Sequence, residues 1–162
     1  HRQIPVVFDP VLAPSSGPEF SNRHVTEKIK LQLLQFCDLV TPNLAEAQQL
    51  SGITINSTED ARCAAKILCE KLGARSSLIK GGHGAGDESV DVLFSNEQFY
   101  EFRAPRIQGY EVRGTGCLLA SAVAAQLAQD IELEIAMRNA KAWLTEKIKN
   151  AKIVGKGRRV TL

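Results

Sequence analysis

Three short strand-like runs, the apolar residues 4–8 and the segments 38–40 and 77–80, each end in polar or glycine-rich residues, and stretches of helical periodicity lie between them. No other feature constrains the fold as much. A run that is apolar throughout suits a strand buried on both faces, and intervening helices supply the crossovers that parallel strands need. Ile4-Pro5-Val6-Val7-Phe8 closes at Asp9-Pro10, the second run at Thr41-Pro42-Asn43, and the third at Lys80 before Gly81-Gly82-His83-Gly84-Ala85-Gly86. Between the first two, Val25, Ile29, Leu33 and Phe36 recur at helical spacing. Asn43 with Glu46 three residues on reads as a capping box that opens a helix running to Leu50 and stopped by Gly52. Ser57-Thr58-Glu59-Asp60 opens another helix, ending at Gly73. Residues 90–94 and 98–102 read as a hairpin across Ser95-Asn96-Glu97. A helix from Cys117 through the apolar residues 118–127 follows, then an amphipathic helix over 132–150. The basic tail at 152–159 reads as a surface segment or short strand. The expectation is one α/β domain over residues 1–162, with a mostly parallel sheet covered on both faces and a C-terminal hairpin.

Composition removes several classes of function. Hydrophobic residues make up 44%, charged residues 23%, and the net charge is +2, as in an ordinary globular protein. No basic stripe with interleaved aromatics appears, which argues against nucleic acid. No apolar stretch reaches membrane-spanning length and no signal peptide is visible, which argues against a membrane partner. The chain opens on His1 and its one methionine is Met137, so it reads as a fragment, a processed product or an incomplete sequence. Cys37, Cys63, Cys69 and Cys117 form no CxxC pair and no zinc spacing, and this usage points to a reducing cytoplasm. Cys37, Cys63, Cys69 and Trp143 read as core residues.

The residues able to carry chemistry follow strand ends, the edge at which open α/β sheets bind ligands. Arg113-Gly114-Thr115-Gly116-Cys117 brings two glycines and a cysteine to a helix start. N–H groups there can hold a phosphate or a developing anion, and the same field favours a thiolate at Cys117. Glu46 reads either as half of a simple cap or as a carboxylate holding Mg²⁺ through water, with Asp9 as its helper or merely a turn residue. Lys80 reads as a phosphate contact or as a lysine snorkelling from a strand end. His83, in its glycine loop, reads first as a surface residue. Residues 109–113 lack the lysine of a phosphate-binding Walker loop, and the glycines after Lys80 lead into a hairpin rather than a helix, which disfavours hydride chemistry.

In order along the chain, Asp9-Pro10-Val11, Ser16-Gly17, Thr41-Pro42-Asn43-Leu44-Ala45-Glu46-Ala47, Lys80-Gly81-Gly82-His83, Arg106-Ile107 and Gly114-Thr115-Gly116-Cys117 resemble the hydroxymethylpyrimidine/phosphomethylpyrimidine kinases. These are ribokinase-like enzymes of thiamine biosynthesis. The resemblance extends to Ile153-Val154-Gly155-Lys156-Gly157. It implies a ribokinase-like three-layer α/β/α fold, with the N-terminal part, on the order of a hundred residues in a chain of one domain, absent from this sequence. It implies ATP- and Mg²⁺-dependent phosphorylation of hydroxymethylpyrimidine and then of its monophosphate, and a possible homodimer. Cys117 would be the base for the substrate hydroxyl, with Gly114, Thr115 and Gly116 forming the anion hole. Thr41, Asn43, Lys80, Gly82 and His83 would lie at the nucleotide, and Glu46 and Asp9 at the metal. The alternatives are a pyridoxal- or sugar-type kinase of the same superfamily and a truncated, non-catalytic nucleotide-binding module. Where the family carries small polar residues before the glycine loop, Glu111 and Arg113 stand here as a repulsive carboxylate and its candidate partner.

Overall fold

The computed structural model describes residues 4–12, 23–81, 87–107, 112–153 and 159–160. Five strands form one sheet in the order β1 (Val7–Phe8), β2 (Leu39–Val40), β3 (Ser76–Ile79), β4 (Glu88–Ser95) and β5 (Gln98–Pro105). β1, β2 and β3 pair in parallel, whereas β4 runs antiparallel to both β3 and β5, so the sheet is mixed. A short antiparallel pair, β6 (Lys152–Ile153) and β7 (Arg159–Val160), lies outside it.

The strands separate two cores by the simple alternation of side chains along an extended chain. Val40, Ile79, Val92 and Phe94 face one core, where they meet Ala47 and Leu50 of helix α2 (Leu44–Ser51) and Ala61, Ala64, Ala65 and Leu68 of α3 (Thr58–Glu70). Leu39, Leu78 and Leu93, one residue out of phase, face the other core. They meet Leu119 and Val123 of α4 (Thr115–Leu127) and Met137, Ala140 and Leu144 of α5 (Leu133–Lys149). Helices thus cover both faces, giving the expected three layers. β4 and β5 are joined by Asn96 and Glu97, both at positive φ (49° and 61°), the primed geometry that matches the twist of a two-residue hairpin.

Three readings change. The helix expected across residues 25–36 is α1 (Arg23–Lys28), followed by a π-helical turn over Ile29–Leu33 and a 3₁₀ turn over Leu34–Phe36. This change of winding shifts the phase of the stripe. Leu34 is fully buried, while Val25, Leu33 and Phe36 are exposed. Cys63 is also exposed, because the buried face of α3 runs through Ala61, Ala64, Ala65 and Leu68; Cys37 is buried and Cys69 half-buried. Trp143 stands at the surface of α5, with the Lys147 ammonium 5.9 Å from its ring centroid, and the residues that α5 buries include Lys141.

Candidate active site

The carboxyl ends of β1, β2 and β3 are tied together by backbone bonds. Thr41 N–H donates to Phe8 C=O at 2.9 Å, and Lys80 N–H to Pro42 C=O at 2.8 Å, beside a parallel bridge between Asn43 and Lys80. Asp9, Thr41 and Lys80 therefore emerge side by side. Lys80 Nζ donates to Asp9 Oδ1 at 2.6 Å, and Thr41 Oγ1 donates to the same oxygen at 3.2 Å. Thr41 is fully buried. Its hydroxyl is directed to the Asp9 carboxylate.

α2 begins beside them, and both halves of its capping box form. Asn43 Oδ1 accepts from Glu46 N–H at 2.9 Å, and Glu46 Oε2 accepts from Asn43 N–H at 2.8 Å. Glu46 is buried. Burial pushes its carboxyl pKa up. The N–H of Asn43, the charge of Lys80 and the N–H of Leu12 pull it down, and the charge of Asp9 adds to the rise. Asp9, Glu46 and Lys80 thus form one electrostatic unit.

α4 closes the site. Its N-cap, Gly114, is left-handed at φ 78°, a conformation that residues with a side chain rarely adopt, and no side chain caps the first turn. Gly116 touches Lys80: a Cβ there would lie 3.0 Å from the ammonium. An ammonium against a helix N-terminus brings two positive poles together, an arrangement that suits an anion. In this structure the anion held by Lys80 is the Asp9 carboxylate.

Cys117 lies in the first turn of α4 and is exposed. Contrary to the expectation of a favoured thiolate, its pKa is raised. Partial desolvation is the largest cause, followed by its hydrogen bond to Asp9 and the charge of that carboxylate; Lys80 opposes these and Glu46 adds to them. Partial desolvation and the Asp9 and Glu46 carboxylates thus favour the thiol over the thiolate. Alkylation of Cys117 by iodoacetamide is accordingly expected to rise at higher pH than that of an ordinary thiol. Asp9→Asn removes the first charge and shifts that rise to lower pH. An unchanged profile in Asp9→Asn would show that the carboxylate does not govern the thiol.

The structure thus brings together Asp9, Thr41, Asn43, Glu46, Lys80, Gly114, Thr115, Gly116 and Cys117. Gly82 and His83 lie outside the described residues, as do Ser16, Gly17 and Glu111 with its pairing to Arg113. Among the described residues no three His, Cys, Asp or Glu side chains form a metal-holding group, and none of the helices is long and apolar enough to cross a membrane.

Sequence reasoning missed the support behind Lys80. Gly81 N–H donates to Asp91 Oδ1 at 2.8 Å, and Asp91 Oδ2 receives Lys141 Nζ at 2.7 Å. The signal was present: Asp91 interrupts the apolar run Val90 to Phe94, and Lys141 shares a helical stripe with Met137 and Leu144. A charge at each inward position implies a buried partner.

The profile of the phosphomethylpyrimidine kinase family matches residues 1–161. The chain belongs to this family. It is 44% identical over 153 residues to the hydroxymethylpyrimidine/phosphomethylpyrimidine kinase of Aquifex aeolicus, covering 94% of this chain and 59% of that protein. It is 41% identical over 157 residues to the thiamine biosynthesis bifunctional protein ThiED of Geobacter sulfurreducens, covering 97% and 32%. Among solved structures, the pyridoxal kinase of Staphylococcus aureus in complex with AMP-PCP and pyridoxal superposes with a TM-score of 0.86 at 34% identity, covering 96% of this chain and 56% of that one. The chain thus spans 59%, 32% and 56% of the lengths of these three proteins, less than two thirds of each.

Proposed function

We infer that this chain carries the phosphoryl-transfer half of an ATP-dependent kinase that phosphorylates hydroxymethylpyrimidine and then its monophosphate, in thiamine biosynthesis. The observation that carries the reading is the Lys80 ammonium pressed against Gly116 at the start of α4, beside a cysteine and two carboxylates. Phosphoryl transfer depends mainly on positioning and charge stabilisation, and this group supplies both. Lys80 and the N–H groups of Gly114, Thr115 and Gly116 would stabilise the charge that develops on the transferred group, with Asp9 giving up its hold on Lys80 as phosphate enters. Asn43 would stand at the nucleotide, with Gly82 and His83 further along the same edge.

Glu46 and Asp9 fit Mg²⁺ as hard oxygen donors, and the upward push on Glu46 marks a place that favours added positive charge. Two carboxylates, one already receiving N–H bonds from Asn43 and Leu12, suit an ion held largely through water. When bound, Mg²⁺ supplies charge neutralisation at the nucleotide phosphates.

Cys117 would receive the substrate hydroxyl proton. The Asp9 carboxylate beside it would take the thiol proton as the hydroxyl proton passes to sulfur, so that no free thiolate need form. A late proton transfer of this kind suits a loose transition state. Cys117→Ala is expected to lower kcat about 10²–10⁴-fold while leaving the ATP dissociation constant near its parent value; equal kcat values would remove Cys117 from the chemistry.

The likeness to a pyridoxal kinase favours a second reading, pyridoxal as substrate. Incubation with Mg²⁺-ATP and each acceptor, followed by detection of the phosphorylated product, decides between them. Transfer to hydroxymethylpyrimidine and its monophosphate supports the proposal, and faster transfer to pyridoxal reverses it. ATP binding with no transfer to either makes this chain a nucleotide-binding module. The four free cysteines support a reducing compartment, the cytoplasm. The homodimer implied by the resemblance is checked by light scattering.

A further inference from the structure

We propose that the buried Asp91–Lys141 pair positions the Lys80 ammonium by gripping the peptide of Gly81, the residue next to it. The inference rests on the reading of Lys80 as the phosphate-facing cation.

The pair joins two elements, β4 and α5, that carry none of the site residues named above. Asp91 lies on β4 and is 3% exposed; Lys141 lies on α5 and is 8% exposed. Lys141 Nζ donates to Asp91 Oδ2 at 2.7 Å, to Ser89 Oγ at 2.9 Å and to Ser89 C=O at 3.3 Å, so its three donors are met. Asp91 directs its other oxygen, Oδ1, to Gly81 N–H at 2.8 Å. A buried ion pair is weak evidence for stability, since apolar residues often do as well. Its retention is better explained by what the carboxylate holds.

Gly81 is held from several sides. Arg106 Nη2 approaches its carbonyl at 3.4 Å while donating to Glu88 C=O at 2.9 Å. A Cβ on Gly81 would collide with the Val90 carbonyl oxygen, so the backbone of β4 fits against it with no room to spare. Lys80, one residue earlier, is fixed by its own N–H to Pro42. The Lys80 backbone is therefore clamped on both sides, by Pro42 before its Cα and by Gly81 after it. Its ammonium reaches Asp9 and Gly116 from that fixed base. Asp91 and Lys141 touch no reacting atom; they are positioning residues.

The test separates charge from grip. Asp91→Asn with Lys141→Gln keeps an acceptor for Gly81 N–H and a neutral bond across the pair. Asp91→Leu with Lys141→Met keeps the volume and removes the acceptor. Calorimetric titration with Mg²⁺-ATP is expected to give a dissociation constant within about 3-fold of the parent for the polar pair and weaker by about 10-fold or more for the apolar pair, with both melting cooperatively. An apolar pair that folds and binds ATP like the parent overturns the proposal. Amide exchange on the parent chain is a second measurement that needs neither variant nor nucleotide. Gly81 N–H is expected to exchange at least about 10³-fold more slowly than in an open chain, and an unprotected Gly81 overturns the proposal even if neither variant folds. A parent chain that binds no ATP defeats the proposed function instead, and the Gly81 exchange rate still decides whether the grip exists.

Discussion

Lys80→Met is expected to lower kcat for phosphoryl transfer about 10²–10³-fold, the cost of removing one preorganised charge donor from a transition state. Lys80 lies only 2.6 Å from Asp9 and against Gly116, so the loss exposes two groups at once. The carboxylate loses its counter-charge, and the start of α4 loses the cation that reinforces it. Steady-state kinetics at saturating ATP measure the effect. Lys80→Arg is expected to recover only part of the rate. The planar guanidinium is wider than an ammonium, and the contact with Gly116 leaves it little room. A rate within about threefold of the parent for Lys80→Met would mean that Lys80 serves only to hold Asp9, since that is far below the loss expected of a charge donor.

Lys141→Met is expected to cost about 3–5 kcal/mol, because Asp91 then stays buried with its charge unpaired. For a chain of this size that corresponds to a fall in melting temperature of roughly 6–20 °C. The contrast with the apolar double replacement is the informative part. Removing both charges spares the protein an orphaned carboxylate, so the double variant is expected to be more stable than the single one. Thermal melts of the two variants give the comparison. A single variant that melts within a degree or two of the parent would mean that water reaches Asp91.

Most of the fold could be read from local signals, and the reasons are physical. Capping boxes at Asn43 and Ser57 lie within four residues of chain, so sequence spacing alone brings their partners together. The hairpin was visible because two strand-like runs flank a short turn; the structure pairs Ser95 with Gln98 and so narrows that turn to Asn96 and Glu97. The winding after α1 was not visible. Val25, Leu33 and Phe36 satisfy a helical period, but the π turn over Ile29–Leu33 and the 3₁₀ turn after it break that period.

The site divides in the same way. Its members were legible because each follows a strand end or opens a helix. Their interactions were not. Asp9 and Lys80 are 71 residues apart, and Asp91 and Lys141 are 50 apart. The thiolate expected at Cys117 rested on the helix start, a local property, whereas the burial and the Asp9 carboxylate that oppose it come from the fold. Thr41 was named from its neighbours in the chain, and only the register of β1 against β2 turns its hydroxyl to Asp9.

The mixed sheet also sets an order of assembly. The β4–β5 hairpin and the adjacent α4 and α5 are contacts between near neighbours in sequence, which close small loops and form quickly. The parallel pairings of β1 with β2 and β2 with β3 must close much longer loops, and they come late on the same argument. Asp9, Thr41 and Lys80 meet only when those last pairings form. Affinity for an anionic ligand is therefore a readout of the completed pairing of β1, β2 and β3, and not merely of helix content or of buried apolar surface.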